Sequence, residues 1–540
     1  MTTSTELARA MVSELVAGGV REIVLAPGSR NAPLSFAAYD AAEAGSVRLH
    51  TRFDERSAAF LALGLTKVGS RAAVICTSGT AVTNLHPALL EAAHAGVPML
   101  AVTADRPARL RGTDANQTTD QVGVFGPLIP TLDVADLGIL RDERALFRPE
   151  MGPDRHGLPL HVNLQLEEPL TPEGRWADAP RHGVERTRGP FLGGDGEVTT
   201  LPAGPRTVVV AGDDAGPQAR MLAQDAGWPL LAEPSSGSRT GDHALRCYRL
   251  LLDGPLGQEI ERVVVYGHPT LSRPVSRLLG RGDVEVWAAP TPGRGLRRWF
   301  PVAGTFDRAG ASARDTTDWF DRWRTADTEL GRALDRLLAA EGELTPYDVA
   351  GEVAHALPAN GLLVVGASSP IRDLDLMVPH YEVGGRRKLI ANRGLSGIDG
   401  VVSTAIGAAL GRESTRSLAL VGDVTFLHDS NGLVLGPGEP EPDLTIVVVN
   451  DDGGSIFATL EQGAPAYADR YDRLFGTPHG VDLASLCAAT QTPHLQVRSR
   501  LELEQVLASP NGGIEVVEAV VRRDNRRDLD ERIRAVADQA

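Results

Sequence analysis

Short runs of apolar, β-branched residues alternate with helix-like patterns along almost the whole chain. In the first third the runs are VREIVLAP, SVRLHT, RAAVICTS, PMLAVTA and HVNLQL, with helical patterns at 55–68 and 80–95 between them. Strands that alternate with helices indicate βαβ units and a parallel sheet. Several runs are apolar throughout, as expected for strands that helices cover on both faces.

The alternation divides into three series. Pro, Gly and charged residues dominate 170–205, which predicts a linker, and a second loop-rich stretch follows DVEVWAA. The second series is TVVVAG, RVVVYG and DVEVWAA; the third, after a helical pattern at 315–341, is LLVVGAS, SLALVGD, LTIVVVN and GIEVVEAVV. We therefore predict an α/β protein with three doubly wound parallel-sheet domains, at 1–185, 186–343 and 344–540.

Composition and charge exclude several kinds of partner. The 540 residues carry a formal net charge of −16, which argues against nucleic acid and against an anionic membrane surface. No stretch approaches about 20 uninterrupted apolar residues, so we expect no membrane-spanning helix. The first residues predict an amphipathic helix, with Ser4 or Thr5 as its N-cap, rather than an export signal.

Three cysteines, Cys76, Cys247 and Cys487, lie far apart in the sequence. Their spacing matches neither a disulfide framework nor a metal-thiolate site, which predicts free thiols in a reducing compartment and a cytoplasmic location. Four histidines, His86, His94, His428 and His479, have no metal-ligand spacing with cysteine or acidic residues. GPRTVVVAGDDAGP lacks the three-glycine fingerprint of a dinucleotide site, so we expect no NAD or FAD.

The most informative stretch lies in the third series. One apolar strand ends in Gly422-Asp423, and the next ends in Asn450-Asp451-Asp452-Gly453-Gly454. Neighbouring parallel strands end at the same edge of a sheet, where ligands bind, so these groups are expected to converge. Carboxylate and carbonyl oxygens suit Mg²⁺, and the glycines permit close approach of a diphosphate. Each pair taken alone is also ordinary turn chemistry.

This stretch resembles the diphosphate-binding motif of the thiamine-diphosphate enzymes, a Gly-Asp-Gly followed after a similar spacer by Asn-Asn. It departs at Val424, which replaces the third glycine, and at Asp451, which replaces the second asparagine. The resemblance implies the three-domain fold of that family and a thiamine diphosphate held through Mg²⁺, with Mn²⁺ as an alternative. It implies metal ligands Asp423, Asp451 and the carbonyl of Gly453, with Asn450 as the other register, and cofactor contacts at Glu55, Gly422, Asp423, Asn450, Gly454, Ser396 and Ile398.

Glu55 lies in RLHTRFDERSAAFLALGLTKV, where a predicted strand leads into a predicted helix. By itself it is a helix-start acid stabilised by the helix dipole. The resemblance implies instead that its carboxyl contacts the pyrimidine ring of the cofactor and promotes activation of the thiazolium ring. Because Glu55 and the diphosphate motif lie in different domains, the resemblance also implies that they meet between subunits of a homodimer or homotetramer.

Longer stretches are similar to the SEPHCHC synthase family of menaquinone biosynthesis, also called MenD. They are APGSRNAPL (26–34), FDERSAAFLALGL (53–65), TSGTAVTNLHPALLEA (77–92), TADRPARLRGTDANQTTDQ (103–121), NRGLSGIDG (392–400) and VGDVTFLHD (421–429). The central third matches poorly. This resemblance implies a transferase that decarboxylates 2-oxoglutarate and adds the resulting succinic-semialdehyde carbanion equivalent to isochorismate in a 1,4-addition, giving SEPHCHC and CO₂.

Both substrates carry two carboxylates, which forked arginine side chains bind well. The resemblance assigns catalytic roles to Glu55, Arg30 and Arg393, and substrate contacts to Ser29, Arg30, Arg106, Asn116, Gln117, Ser368, Arg372, Arg393, Arg273, Phe457 and Leu460. Without it, such arginines equally solvate a surface, and the two apolar residues equally fit a core.

Two alternatives stay open from the sequence. One is another thiamine-diphosphate enzyme, a 2-oxoacid decarboxylase or an acetohydroxyacid synthase. The other is a non-catalytic binding protein with a degenerate cofactor site, for which Val424 and Asp451 are the only signs. The arginine set favours the SEPHCHC synthase, and the presence of Glu55 argues against a scaffold.

Overall fold

Three sheets whose strands are all parallel follow one another along the chain, in a computed structural model that describes residues 2–148, 158–181, 197–291, 297–378 and 380–537. Each sheet has helices around it and a core of apolar residues. The α/β fold class is thereby confirmed. The proposed boundary at 185 lies outside the described residues. The boundary near 343 falls between two helices and stays a prediction.

The first unit has six strands in the order β2-β1-β3-β4-β6-β5. They are β1 (Glu22–Leu25), β2 (Arg48–Thr51), β3 (Ala72–Cys76), β4 (Leu100–Asp105), β5 (Thr131–Val134) and β6 (Leu160–Gln165). Its helices are α1 (Ser4–Ala17), α2 (Ala32–Glu43), α3 (Glu55–Lys67), α4 (Thr80–Asn84), α5 (His86–Ala95) and α6 (Leu137–Asp142).

The central unit has a five-stranded sheet, β12-β11-β10-β8-β9, and a separate pair, β13-β7. The strands are β7 (Val198–Leu201), β8 (Thr207–Ala211), β9 (Leu230–Ala232), β10 (Arg262–Tyr266), β11 (Glu285–Ala288), β12 (Gly304–Thr305) and β13 (Arg308–Ala311). The helices are α7 (Gln218–Ala226), α8 (Tyr248–Leu251), α9 (Pro255–Gln258), α10 (Arg273–Leu279) and α11 (Trp319–Ala339).

The third unit repeats the topology of the first, with the order β15-β14-β16-β17-β19-β18. Its strands are β14 (Leu362–Val365), β15 (Lys388–Ala391), β16 (Ser417–Gly422), β17 (Leu444–Asn450), β18 (His494–Val497) and β19 (Ile514–Val520). Its helices are α12 (Pro346–Ala356), α13 (Ser369–Met377), α14 (Val401–Gly411), α15 (Asp423–His428), α16 (Ala468–Tyr471), α17 (Leu483–Ala489), α18 (Arg500–Ala508) and α19 (Arg526–Ala537).

Several local expectations need correction. The N-cap of α1 is Thr3, which forms a capping box with Glu6, rather than Ser4 or Thr5. The helical pattern at 80–95 is two helices, which meet at Leu85. The stretch 170–205 is not linker throughout, because β7 forms in its last part; residues 182–196 lie outside the described residues.

The cysteine and membrane expectations can also be compared with the structure. Cys76, Cys247 and Cys487 are buried free thiols, as predicted. Within the described ranges, no helix combines the length and the apolar character needed to span a membrane.

Helices α3 and α14 join the first and third units through backbone contacts at glycines. A Cβ on Gly64 would lie 2.1 Å from the carbonyl oxygen of Thr404, and one on Gly407 would lie 2.1 Å from that of Leu61. The small residues of SAAFLALG therefore pack against α14 within one chain. This packing fixes the relation between Glu55, at the start of α3, and the third unit.

Gly64→Ala is expected to destabilise the chain by about 1–3 kcal/mol, because the added methyl group has no room against the backbone of α14. The measurement is the urea midpoint of unfolding, with Gly342→Ala as control, since a Cβ at Gly342 meets nothing within 4 Å. Equal midpoints for the two variants would contradict this account of the helix contact.

Candidate active site

Two carboxylates lie at neighbouring strand ends of the third sheet. Strands β16 and β17 are paired in register, with Gly422 opposite Val449. Asp423 directly follows β16 and Asp451 directly follows β17, and they are only 2% and 8% exposed. The apolar strands thus bring two acids to one buried edge, as the sequence predicted.

Burial outweighs the positive charge near this pair, which comes from Arg526 in the cavity lining and from His479 beside Asp423. Burial raises the pKa of Asp423, and burial together with the charge of Asp423 raises the pKa of Asp451 to about 7. Asp423 accepts hydrogen bonds from the backbone N–H groups of Val424 (2.7 Å) and Gly453 (2.8 Å). Among the described residues, no lysine or arginine hydrogen-bonds either carboxylate. A divalent cation would relieve this unfavourable burial.

The carboxylates open onto a cavity of ≈ 150 Å³. Its lining includes many residues predicted from the sequence: Ser368, Ile398, Gly422, Asp423, Asp451, Gly453, Gly454 and Phe457. Gly453 has φ +144°, and a Cβ there would lie 2.1 Å from the carbonyl oxygen of Gly476. The glycine therefore leaves no room for a side chain and presents backbone to the cavity, which suits an anionic group held through a metal.

Some predicted residues of this unit lie beside the cavity rather than in its lining. Asn450 donates to Glu518 (2.6 Å) and accepts from the N–H of Asp452 (3.0 Å), so its side chain is engaged away from Asp423. Arg372 donates to the carbonyl oxygen of Ser368 (2.7 Å). Ser396 and Ser368 both have positive φ, 61° and 72°, a strained backbone that is common at functional sites.

Two other predicted residues, Arg393 and Arg273, lie where the third unit contacts the central unit. Arg393, which is 2% exposed, donates to the side chain and carbonyl oxygen of Thr270. Arg273 is exposed and pairs with Glu461 (2.6 Å), directly after Leu460, and this pairing lowers the pKa of Glu461 to about 2. Arg273 thus contacts the chain beside Leu460 rather than the cavity.

His479 is a residue of this site that the sequence did not reveal. Its Nε2 lies 3.1 Å from Asp423, and its backbone N–H donates to Asp452 (3.0 Å). Its spacing in the sequence gives no sign of this contact. Within the described residues, no cluster of three or more His, Cys, Asp or Glu forms a metal site. Only the fold brings His479 to Asp423.

A second polar edge lies at the carboxyl ends of the first sheet. Arg106 donates to the hydroxyl of Ser78 and to the carbonyl oxygen of Gln117 (2.7 Å), and Gln117 donates to the carbonyl oxygen of Ser78 (2.8 Å). Burial lowers the pKa of Arg106, and the nearby charge of Arg30 adds to this shift. Ser29, Asn116 and Gln117 are exposed on this edge. Ser78 was not predicted from the sequence.

Glu55 is the first residue of α3 and is half-buried beside the end of β3. Burial and then the charge of Glu55 raise the pKa of Cys76, the last residue of β3. The neighbours of Glu55 contact the third unit: Arg56 donates to the carbonyl oxygen of His428 (2.8 Å), and Asn431 donates to Asp54 (3.0 Å). Yet Glu55 does not line the cavity at Asp423. Within the described residues, Glu55 and the cavity at Asp423 are thus separate features of the chain.

Comparisons with known protein families match the first unit and the third unit separately. Residues 5–124 match the thiamine pyrophosphate enzyme N-terminal TPP-binding domain, and residues 375–518 match the C-terminal TPP-binding domain. Fold and site together define the class of thiamine pyrophosphate enzymes.

Comparison with full-length relatives identifies one family within this class of enzymes. The chain is 66% identical to 2-succinyl-5-enolpyruvyl-6-hydroxy-3-cyclohexene-1-carboxylate synthase of Nocardioides sp. (strain ATCC BAA-499 / JS614), over 99% of this chain and 98% of that protein. It is 45% identical to the synthase of the same name from Kineococcus radiotolerans, over 99% of both chains. The chain belongs to this family of SEPHCHC synthases.

Asp451→Asn is expected to stabilise the cation-free chain, more at pH 8 than at pH 5. The pKa of Asp451 in the folded state, about 7, is above its ordinary 3.8. Protonation of this carboxyl therefore stabilises the folded state. This stabilisation is fully present at pH values below 3.8 and is lost as the pH rises through 7.

The measurement is urea unfolding in EDTA at both pH values. Asp469→Asn, at an exposed site, is the control and should shift stability little at either pH. A gain for Asp451→Asn that is the same at pH 5 and pH 8 would contradict the unfavourable burial of its charge.

Proposed function

We propose that this chain is a thiamine-diphosphate-dependent SEPHCHC synthase of menaquinone biosynthesis, a transferase whose substrates are 2-oxoglutarate and isochorismate. One observation carries the proposal: two buried carboxylates share a glycine-lined cavity in a chain 66% identical to a protein of that name. Thiamine diphosphate, when bound, supplies the electron sink that decarboxylation of a 2-oxo acid requires.

The residues around the cavity fit the diphosphate end of this cofactor. Asp423, Asp451 and the carbonyl oxygen of Gly453 would hold Mg²⁺, or Mn²⁺ in its place, because hard oxygen ligands suit both metals. The engagement of Asn450 with Glu518 favours Asp451 as the second ligand. Gly422 and Gly454 would lie against the diphosphate, and Ile398 and Ser396 against the middle of the cofactor.

Glu55 would contact the other end of the cofactor, the aminopyrimidine ring. Its carboxyl would hold a proton in contact with the aminopyrimidine ring, a task that a half-buried acid at a strand end can perform. Because Glu55 is outside the cavity of its own chain, we infer that each site is completed by two subunits. The assembly is then a homodimer, or a homotetramer built from such pairs, in the cytoplasm.

Four arginines would bind the substrate carboxylates, which forked donors recognise well. Arg30 and Arg106 lie at the edge of the first sheet, with Ser29, Asn116 and Gln117 available for hydroxyl groups. Arg372 and Arg393 lie in the third unit; burial, then the charge of Arg393, lowers the pKa of Arg372 to about 10, so it remains cationic at neutral pH. Ser368, Phe457 and Leu460 would line the ring pocket, and Arg273 would act through its contact with Glu461.

The purified protein with thiamine diphosphate and Mg²⁺ is expected to form an adduct of 2-oxoglutarate and isochorismate, and to release CO₂ rapidly only when both are present. Mass spectrometry of the product and a CO₂ assay measure this, with pyruvate in place of 2-oxoglutarate as control. Rapid CO₂ release without isochorismate, and no adduct, would instead identify a 2-oxoacid decarboxylase.

Glu55→Gln is expected to retain cofactor binding but to lose about 10²–10⁴ in turnover, the range for a general acid–base group. Asp423→Ala is expected to lose cofactor affinity. Co-expression of the two variants with different tags should yield mixed pairs in which one of the two sites has both wild-type residues, so part of the activity returns.

Glu43→Gln, at an exposed position on α2, is the matched control and should keep wild-type turnover. Mixed pairs that remain as inactive as either parent would show that each site is built from a single chain.

A further inference from the structure

The segment from Arg393 to Ile398 carries two proposed site residues but has little packing of its own. Between its ends lie Gly394, Leu395, Ser396 and Gly397. Leu395, its only large apolar side chain between those ends, is 52% exposed. Some other contact must therefore hold this segment in place.

That contact is Glu91, a buried residue of α5 in the first unit. Its Oε1 accepts from the N–H of Gly394 and its Oε2 from the N–H of Leu395, both at 2.7 Å. We call these two bonds the Glu91 clamp. Within the part of the chain that the structure describes, no other hydrogen bond is made by the backbone between Arg393 and Ile398. A Cβ on Gly394 would lie 2.6 Å from the carbonyl oxygen of Glu91, so the segment lies directly against α5.

The side chain of Arg393 is fixed from another direction. Its Nε and Nη2 donate to Thr270 of the central unit, at 2.8–3.1 Å. The N–H groups of Thr270 and Leu271 both donate to Oε1 of the buried Glu233, at 2.9 Å. Nη1 of Arg393 makes no hydrogen bond within the described residues, so it is the donor left for a ligand.

We infer that Glu91 is a positioning residue, which sets Arg393 and Ile398 in place from a different unit without touching substrate or cofactor. The inference rests on the proposed function, because it takes Arg393 as a substrate contact. Loss of one carboxylate acceptor on Glu91 would release the backbone that carries both Arg393 and Ile398. Thr270 would still bind the guanidinium end of Arg393, but it would not fix the backbone.

Glu91→Gln separates this role from mere folding support, because glutamine keeps the volume but places an NH₂ group against a backbone N–H. The first measurement is hydrogen–deuterium exchange of the peptide 391–399 in the cofactor-free protein. Faster exchange in Glu91→Gln is expected there, and unchanged exchange would overturn the clamp whatever the protein catalyses. Glu515→Gln, a buried acid bonded to Thr445, is the control and should leave this peptide unchanged.

The second measurement is a double-mutant cycle in the complete enzyme. Glu91→Gln alone is expected to raise KM for at least one substrate about tenfold, but to change kcat/KM less than about twofold in an Arg393→Ala background. Equal losses in both backgrounds would reduce Glu91 to a structural residue and overturn the inference. If the wild-type enzyme forms no adduct at all, the proposed function fails, and the exchange measurement still decides the clamp.

Discussion

The repulsion between two carboxylates buried at one sheet edge is the constraint that organises this molecule. Burying Asp423 and Asp451 side by side costs free energy in the chain alone, and the apolar strands β16 and β17 enforce it by ending together. Such an arrangement is typical of sites where a bound cation adds positive charge. The surrounding glycines and the positive-φ residues Ser368 and Ser396 belong to the same pattern, in which local stability is given up for a binding site.

The first and third units have identical strand orders, and each presents a polar edge at the carboxyl ends of its strands. In the proposed function, the acids and glycines of the third unit would bind the diphosphate end of the cofactor. Glu55, Arg30 and Arg106 of the first unit would contact its ring and the substrates. Each chain holds one copy of each edge, and Glu55 does not line the cavity at Asp423, which is the reason for proposing paired subunits.

The strands predicted from the sequence all formed, and those missed in the three main sheets were β5, β9, β12, β15 and β18. All five are edge strands. A central parallel strand is buried on both faces and appears as an unbroken apolar run, whereas an edge strand such as His494–Val497 is partly exposed and lacks that signal. The strand ends were likewise predictable, so the meeting of Asp423, Asp451, Gly453 and Gly454 at one cavity could be expected from the sequence; their roles stay a prediction.

The residues that could not be found are those whose partners are distant in sequence. His479 reaches Asp423 through the folding of the third unit alone. Glu91 reaches Gly394, and Thr270 reaches Arg393, because three units pack together. Nothing in the local sequence around these residues distinguishes them from ordinary surface or core positions. Motif spacing reveals groups on adjacent strand ends, whereas contacts between units need coordinates.

The glycine contacts between α3 and α14 have a mechanical consequence. Because the backbones of α3 and α14 are in direct contact at Gly64 and Gly407, no side chains lie between the helices at these points to let them slide past each other. The start of α3, which carries Glu55, and helix α14 are therefore expected to move together. If subunits pair as proposed, Glu55 and the cavity beside α14 would belong to different reaction centres, and a displacement at one centre would be transmitted to the other through this helix pair.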